Sequence, residues 1–203
     1  MRDVAIKKIC HALENQYKFK LAEKVVLDFF ARGGDWQTSY YANLVKKVYA
    51  WEVDERFEED LYKNLPSNAE ITIGNSFELA RNIDRNFDVV VLDNPQGCYG
   101  ERQEYCEHFE AIEEVLNLLP HNGGLLIFNV KTEPFNYGDK IKWQQRRNSF
   151  YNLNDCSKLS LNFIQNFYKD FFSKRGFETH FCFLEKRPQE PGLYALTIKI
   201  SRS

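Results

Sequence analysis

Three acidic residues close three apolar runs. Val25-Val26-Leu27 ends on Asp28, Val48-Tyr49-Ala50-Trp51 ends on Glu52, and Val89-Val90-Val91-Leu92 ends on Asp93. In an open α/β sheet, ligands bind outside the carboxyl ends of the strands, which is where these carboxylates fall. Glu52 lies 24 residues beyond Asp28, near the roughly 20-residue spacing at which a strand-end acid reaches the hydroxyl pair of a ribose. A glycine-bearing turn, Ala31-Arg32-Gly33-Gly34, and a helix-like segment separate the two acids. Strand, turn, helix and strand describe half of a nucleoside-binding βαβ unit. An acidic mouth made by Asp28 and Glu52 suits a cationic ligand better than an anionic one.

The elements that must position these acids follow from pattern. Residues 3–22 predict an amphipathic helix, with Ile6, Ile9, Leu13, Tyr17 and Leu21 on one face. The first strand spans 24–29, apolar throughout as a central parallel strand should be. Asp35 is placed to cap the next helix, and Asp54, after a strand over 47–53, to cap the one following. A third strand over 69–73 runs into Gly74-Asn75-Ser76. Further elements are a helix over 77–85, a strand over 87–92, a helix over 105–118 and a strand over 125–130. A helix over 158–175 is closed by Gly176, and two strands, 178–184 and 193–200, end the chain. No repeat, low-complexity tract or linker divides it, so residues 1–203 read as one domain.

Composition narrows the class. The 203 residues, 43% hydrophobic and 28% charged, are those of a globular protein, and no apolar run approaches the roughly 20 residues that cross a bilayer. Five cysteines without a CxxC pair and four scattered histidines argue against a disulfide framework or a zinc site. The expectation is a cytoplasmic protein with no metal and no membrane partner. Between 131 and 157 the chain interleaves Lys140, Lys142, Arg146 and Arg147 with Trp143, Phe150 and Tyr151. That mixture serves single-stranded or flipped nucleic acid; a lid or a plain crossover are the other readings. No GxxxxGK[ST] is present, and Phe30 and Arg32 break the GxGxxG that a dinucleotide pyrophosphate requires.

Residues 24–52 resemble motifs I and II of the class I S-adenosylmethionine (SAM)-dependent methyltransferases. Asp28 keeps the acidic place and Gly34 the last glycine of motif I, while Phe30 and Arg32 stand at the first two glycines. The likeness extends from Lys24 to Ile200. It implies a Rossmann-like α/β fold: a seven-stranded, mostly parallel sheet with an antiparallel last strand and helices on both faces. It also implies SAM as cofactor, with Asp28, Ala31 and Gly34 shaping the methionine end. Glu52 and Val53 would lie at the ribose, Asn75 and Ser76 at the adenine edge. The helix at the amino end is expected to pack on the core or to cross the cofactor cleft.

Asp93-Asn94-Pro95-Gln96 resembles the (D/N)-P-P-(Y/F) tetrad of methyltransferases that modify amino nitrogens. The resemblance implies that Asp93 and the Asn94-Pro95 backbone orient the acceptor amino group. Gln96 replaces the aromatic that stacks on a flipped base, and Tyr99 is the nearest ring. With Tyr99, the residues Lys142, Trp143, Arg146 and Arg147 are then the expected substrate contacts. The function so implied is SAM-dependent methyl transfer to an amino nitrogen of a nucleic-acid base. One alternative is a catalytically silent methyltransferase-like subunit serving a protein partner or RNA, which Phe30, Arg32 and Gln96 favour. Another is a small-molecule methyltransferase. Phe30 either fills the cofactor's space or turns into the core, and sequence leaves both open.

Overall fold

Strands buried on both faces need apolar side chains at successive positions, and the central strands meet that demand. The computed structural model describes residues 4–134, 140–188 and 190–203. The sheet contains β1 (Val25–Asp28), β2 (Lys47–Glu52), β3 (Ala69–Ile73), β4 (Val89–Leu92), β7 (Gly124–Lys131), β8 (Phe177–Lys186) and β9 (Leu193–Arg202). A separate two-stranded ribbon pairs β5 (Cys98–Tyr99) with β6 (Tyr105–Cys106).

The sheet order is β3-β2-β1-β4-β7-β9-β8. Pairings from β3 through to β7 are parallel, and β9 runs antiparallel to both β7 and β8. Seven strands, mostly parallel with an antiparallel last strand, agree with the sequence expectation. The chain leaves β1 towards β2 and β3, then returns to place β4 on β1's other side. The reversal between β1 and β4 is the point where such sheets open a crevice.

Side chains alternate across the sheet with period two. Leu27, Tyr49, Trp51, Val90, Leu92, Leu126 and Phe128 join one core with α4 (Ser76–Asn82), α5 (Phe109–Leu116), α6 (Ile141–Tyr151) and α7 (Leu161–Ser173). Val26, Val48, Ala50, Val89, Val91, Leu125 and Ile127 join the other with α1 (Val4–Asn15), α2 (Thr38–Tyr41) and α3 (Glu58–Asn64).

Several boundaries differ from those read in sequence. The amino-terminal helix stops at Asn15; Tyr17 leaves it to stack on Phe181 and Phe183, at 4.0 and 5.3 Å. Ile6, Ile9 and Leu13 are fully buried, so α1 packs on the core. The helix expected after Asp35 is only four residues long, and its first flanking residue is Gln37 with no side-chain cap. Asp54 does cap the short 3-10 turn Glu55–Phe57 by accepting from Arg56 N–H. The helix expected over 105–118 is divided: Tyr105 and Cys106 belong to the ribbon, and the helix begins at Phe109. The basic segment contains α6; its residues 135–139, like residue 3 of the expected first helix, lie outside the described residues.

Candidate active site

The motif-I loop is anchored on three sides. Ala31 N–H donates to Trp51 C=O at 2.9 Å, Gly34 N–H to Ala31 C=O at 2.9 Å, and Arg32 N–H to Glu52 Oε2 at 2.7 Å. Arg32 and Gly34 both adopt positive φ, 48° and 67°, so the loop keeps the turn that glycines would otherwise supply. A Cβ on Gly34 would come within 2.9 Å of Leu65 Cδ2. This glycine is therefore required for packing against the α3 side of the sheet. The Arg32 guanidinium lies over Trp36 and Phe57, 5.5 and 5.6 Å from their ring centres.

Asp28 is buried at the end of β1. Its Oδ2 accepts from Thr38 Oγ1 at 2.5 Å and from Tyr41 OH at 2.6 Å. Burial pushes the carboxyl up to about 6, against the lowering effect of those two hydroxyls. Oδ1 is buried and makes no well-formed hydrogen bond among the described residues, although the Phe30 main-chain N–H also favours the charged carboxylate. A buried carboxylate oxygen without a well-formed bond is costly, and it is a natural place for an ammonium or amide donor from a ligand.

Glu52 ends β2 with both oxygens engaged by main chain: Oε2 by Arg32 N–H and Oε1 by Asp54 N–H at 2.9 Å. Each oxygen retains a second lone pair for a ribose hydroxyl. Val53 beside it is exposed. At the end of β3, Asn75 caps α4 through Oδ1 and Phe77 N–H, 3.0 Å, and Ser76 Oγ donates to Phe29 C=O at 2.7 Å. Ser76 thus ties the segment after the third strand to the end of the first.

Phe30 packs among aromatic rings. Its ring meets Phe29, Phe77 and Tyr99 edge-on, at 4.9, 6.4 and 5.9 Å, and it packs on the core side that carries α4 and α5. Tyr105 stacks flat on Phe77 at 3.9 Å. The β5–β6 ribbon therefore closes an aromatic cluster over the strand ends. Tyr99 OH and Gln96 Oε1 are buried there without a partner among the described residues. Burial drives the Tyr99 phenol well above its ordinary range.

Asp93 is held from a neighbouring strand and a distant turn. Its Oδ1 accepts from Asn129 Nδ2 and from Arg187 Nη1, each at 2.6 Å. The same Arg187 nitrogen donates to Asn129 Oδ1 at 2.7 Å, and Asn129 N–H donates to Asn94 Oδ1 at 3.0 Å. Arg187 is only 1% exposed and its guanidinium lies 5.5 Å from the Trp36 ring centre. Pro95 is exposed, and Gln96 folds back, its Nε2 donating to Asn94 C=O at 3.1 Å.

The basic segment divides. Arg147 is wholly buried, donating to Glu107 Oε1 at 2.5 Å and to Lys131 C=O at 2.8 Å; Trp143 Nε1 donates to the same Glu107 oxygen at 2.7 Å. Arg147 and Trp143 hold α6 to the sheet and are buried, so neither lies at the surface where the expected substrate contact would be made. Arg146 pairs with Glu110 and donates to Glu104 C=O, while Lys142 reaches Arg102 C=O at 2.9 Å from an exposed position. Lys140, Lys142 and Arg146 are the basic members left near the surface.

Thus Asp28, Ala31, Gly34, Glu52, Asn75, Ser76, Asp93 and Asn94 gather at one edge of the sheet. Asn129, Arg187 and Glu107 were missed by sequence reasoning. Asn129, an amide inside the apolar run 125–130, is the one with a signal, because a buried polar residue demands a partner. Buried polar atoms on Asp28, Gln96 and Tyr99 have no hydrogen-bond partner among the described residues, and the carboxylates of Asp28 and Glu52 at this edge suit a cationic ligand better than an anionic one. Among the described residues no group of three or more His, Cys, Asp or Glu is placed to hold a metal, and no helix is long and apolar enough to cross a membrane.

Strand order, the reversal between β1 and β4, and the site at the carboxyl edge define the Rossmann-like class I methyltransferase fold. Among solved structures the chain is similar to M. jannaschii TYW2 in complex with AdoMet (SAM), with TM-score 0.57 and 15% identity over 100% of this chain and 78% of that one. It is also similar to an rRNA methylase from Streptococcus thermophilus, TM-score 0.53 and 16% identity over 100% and 98% of the two chains. For the M. jannaschii tRNA m1G37 methyltransferase the values are 0.54 and 16% over 97% of this chain, which spans 50% of that one. No protein-family model matches the chain, and no curated protein matches it in sequence.

Proposed function

We infer that this chain binds SAM across the ends of β1, β2 and β3 and transfers its methyl group to an amino nitrogen of a nucleic-acid base. The observation that carries the reading is Glu52: its carboxylate is bonded to the Arg32 N–H, which joins the ribose-binding acid to the motif-I loop despite the two missing glycines. Asp28 Oδ1 would take the ammonium of the methionine part. When bound, SAM supplies a methyl carbon that bonds to the acceptor nitrogen as its bond to sulfur breaks, the electron pair staying on sulfur. Asp93 would accept an N–H of the acceptor, turn the nitrogen's lone pair towards the cofactor site and receive the proton lost on methylation. The ribbon, carrying Tyr99, would exclude water. The contribution is chiefly positional.

A nucleic-acid substrate is supported by Lys142 and Arg146 at the surface of α6, and by neighbours that are tRNA and rRNA methyltransferases. The silent-subunit reading is favoured by one contact, the flat stack of Tyr105 on Phe77, two residues after Asn75, where an adenine would have to enter. Crystals soaked with S-adenosylhomocysteine separate the two. The enzyme reading expects the nucleoside on Glu52 with Phe30 still against Tyr99; an aromatic ring filling that space rejects it.

A further inference from the structure

We propose that Arg187 and Asn129 are positioning residues that fix the Asp93 carboxylate so that a single oxygen, Oδ2, meets the acceptor. The proposal rests on the methyl-transfer reading above. Asp93 and Asn129 are neighbours across the β4–β7 seam, one step beyond the pair Leu92↔Phe128. Arg187 comes from the turn between β8 and β9, 94 residues from Asp93 in sequence. Three parts of the sheet therefore converge on one oxygen.

The arrangement leaves no ambiguity in the amide. Asp93 can only accept and Arg187 can only donate, so Asn129 must present Nδ2 to the first and Oδ1 to the second, as it does. Its main-chain N–H meanwhile holds Asn94 Oδ1, fixing the next residue of the tetrad. With two donors at 2.6 Å, Oδ1 is saturated by charge-assisted bonds. Among the described residues none donates to Oδ2. The carboxylate plane is thereby set by the protein before any acceptor arrives.

This bracket also answers the departure at Asn94. A proline at that position would stiffen the turn by its ring; here the Asn94 side chain is tied to Asn129 instead. The cation matters as well as the geometry. Asp93 is 18% exposed and Arg187 1%, so the pair brings little net charge to the acceptor and leaves the cationic cofactor's partner to be Asp28.

The test uses the full chain, tritiated SAM and total cellular RNA as acceptor, comparing wild type, Arg187→Gln, Arg187→Lys, Asp93→Asn and the Asp93→Asn/Arg187→Gln pair. Loss of placement by about 1 Å costs about a hundredfold in rate. Arg187→Gln is expected to lower kcat by about that factor while the dissociation constant for SAM and the KM for RNA stay within threefold. Arg187→Lys restores part of the loss, and the double variant is no slower than Asp93→Asn alone, because Arg187 acts through Asp93. On 15N-labelled protein the Asn129 side-chain amide protons move upfield in Arg187→Gln and in Asp93→Asn, a readout independent of turnover. Should Arg187→Gln fail to fold, the kcat and amide shift of Arg187→Lys decide. An unchanged kcat in every folded Arg187 variant, multiplicative losses in the double variant, or a change confined to SAM affinity overturns the proposal while leaving methyl transfer intact. Wild type that binds SAM but methylates nothing removes the proposal together with its premise.

Discussion

Replacing Arg147 with alanine should destabilise the protein far more than it changes any RNA contact. Arg147 and Glu107 are each fully buried, and their carboxylate oxygen also takes the Trp143 indole N–H. Removing the guanidinium leaves a buried carboxylate with one neutral donor and orphans the Lys131 carbonyl. Breaking a buried pair on one side costs about 3–5 kcal/mol. At about 2–4 °C per kcal/mol for a domain of this size, the midpoint should fall by roughly 10 °C. Thermal denaturation followed by near-ultraviolet circular dichroism measures this, with Trp143 as a nearby reporter. The paired variant Glu107→Gln/Arg147→Met should recover part of the loss, since no buried charge is then stranded. A midpoint for Arg147→Ala within 2 °C of wild type would refute the reasoning and return Arg147 to the surface.

Three further outcomes are expected. Asp28 is raised from 3.8 to about 6 by burial, so its protonated form favours the fold; stability from this group is present below pH 4 and lost as pH rises through 6. Asp28→Asn should therefore gain on wild type by roughly 3 kcal/mol between pH 4 and pH 8 in urea titrations, and a pH-independent difference rejects the assignment. Phe30→Ala should cost about 2 kcal/mol by loss of aromatic packing while SAM affinity stays within threefold; a tenfold tighter complex would mean the ring had occupied the cofactor's place. Lys142→Ala should weaken RNA binding and reduce the slope of log affinity against log salt by about 1, and an unchanged slope removes α6 from the interface.

The central strands were legible because each is buried on both faces, so an apolar, β-branched run had no competing explanation. The acids closing them were legible for the same reason: a charge at the end of such a run marks where the strand leaves the core. Tyr105 and Cys106 were misread as helix because Phe109, Ile112, Val115 and Leu116 continue a 3.6-residue period backwards through them, and nothing local signals their pairing with Cys98 and Tyr99. Arg146 and Arg147 are adjacent and chemically alike. Only the facing of α6 makes one a surface ion pair and the other a core residue. Arg187 and Asp93 are partnered across 94 residues, a relation that no window of sequence contains. The four-residue α2 fell short of its expected length: it begins at Thr38 with Gln37, which makes no side-chain cap, at its flank, and the Thr38 and Tyr41 hydroxyls within it are committed to Asp28.

The most direct trial of the whole account is a thermal melt in SAM beside one of Glu52→Ala. At a hundredfold excess over the dissociation constant, binding to the folded form adds about 2.7 kcal/mol, which should raise the wild-type midpoint by about 5–10 °C and leave the Glu52→Ala midpoint unmoved. A wild-type midpoint that stays put in millimolar SAM would contradict the claim that these strand ends hold the cofactor.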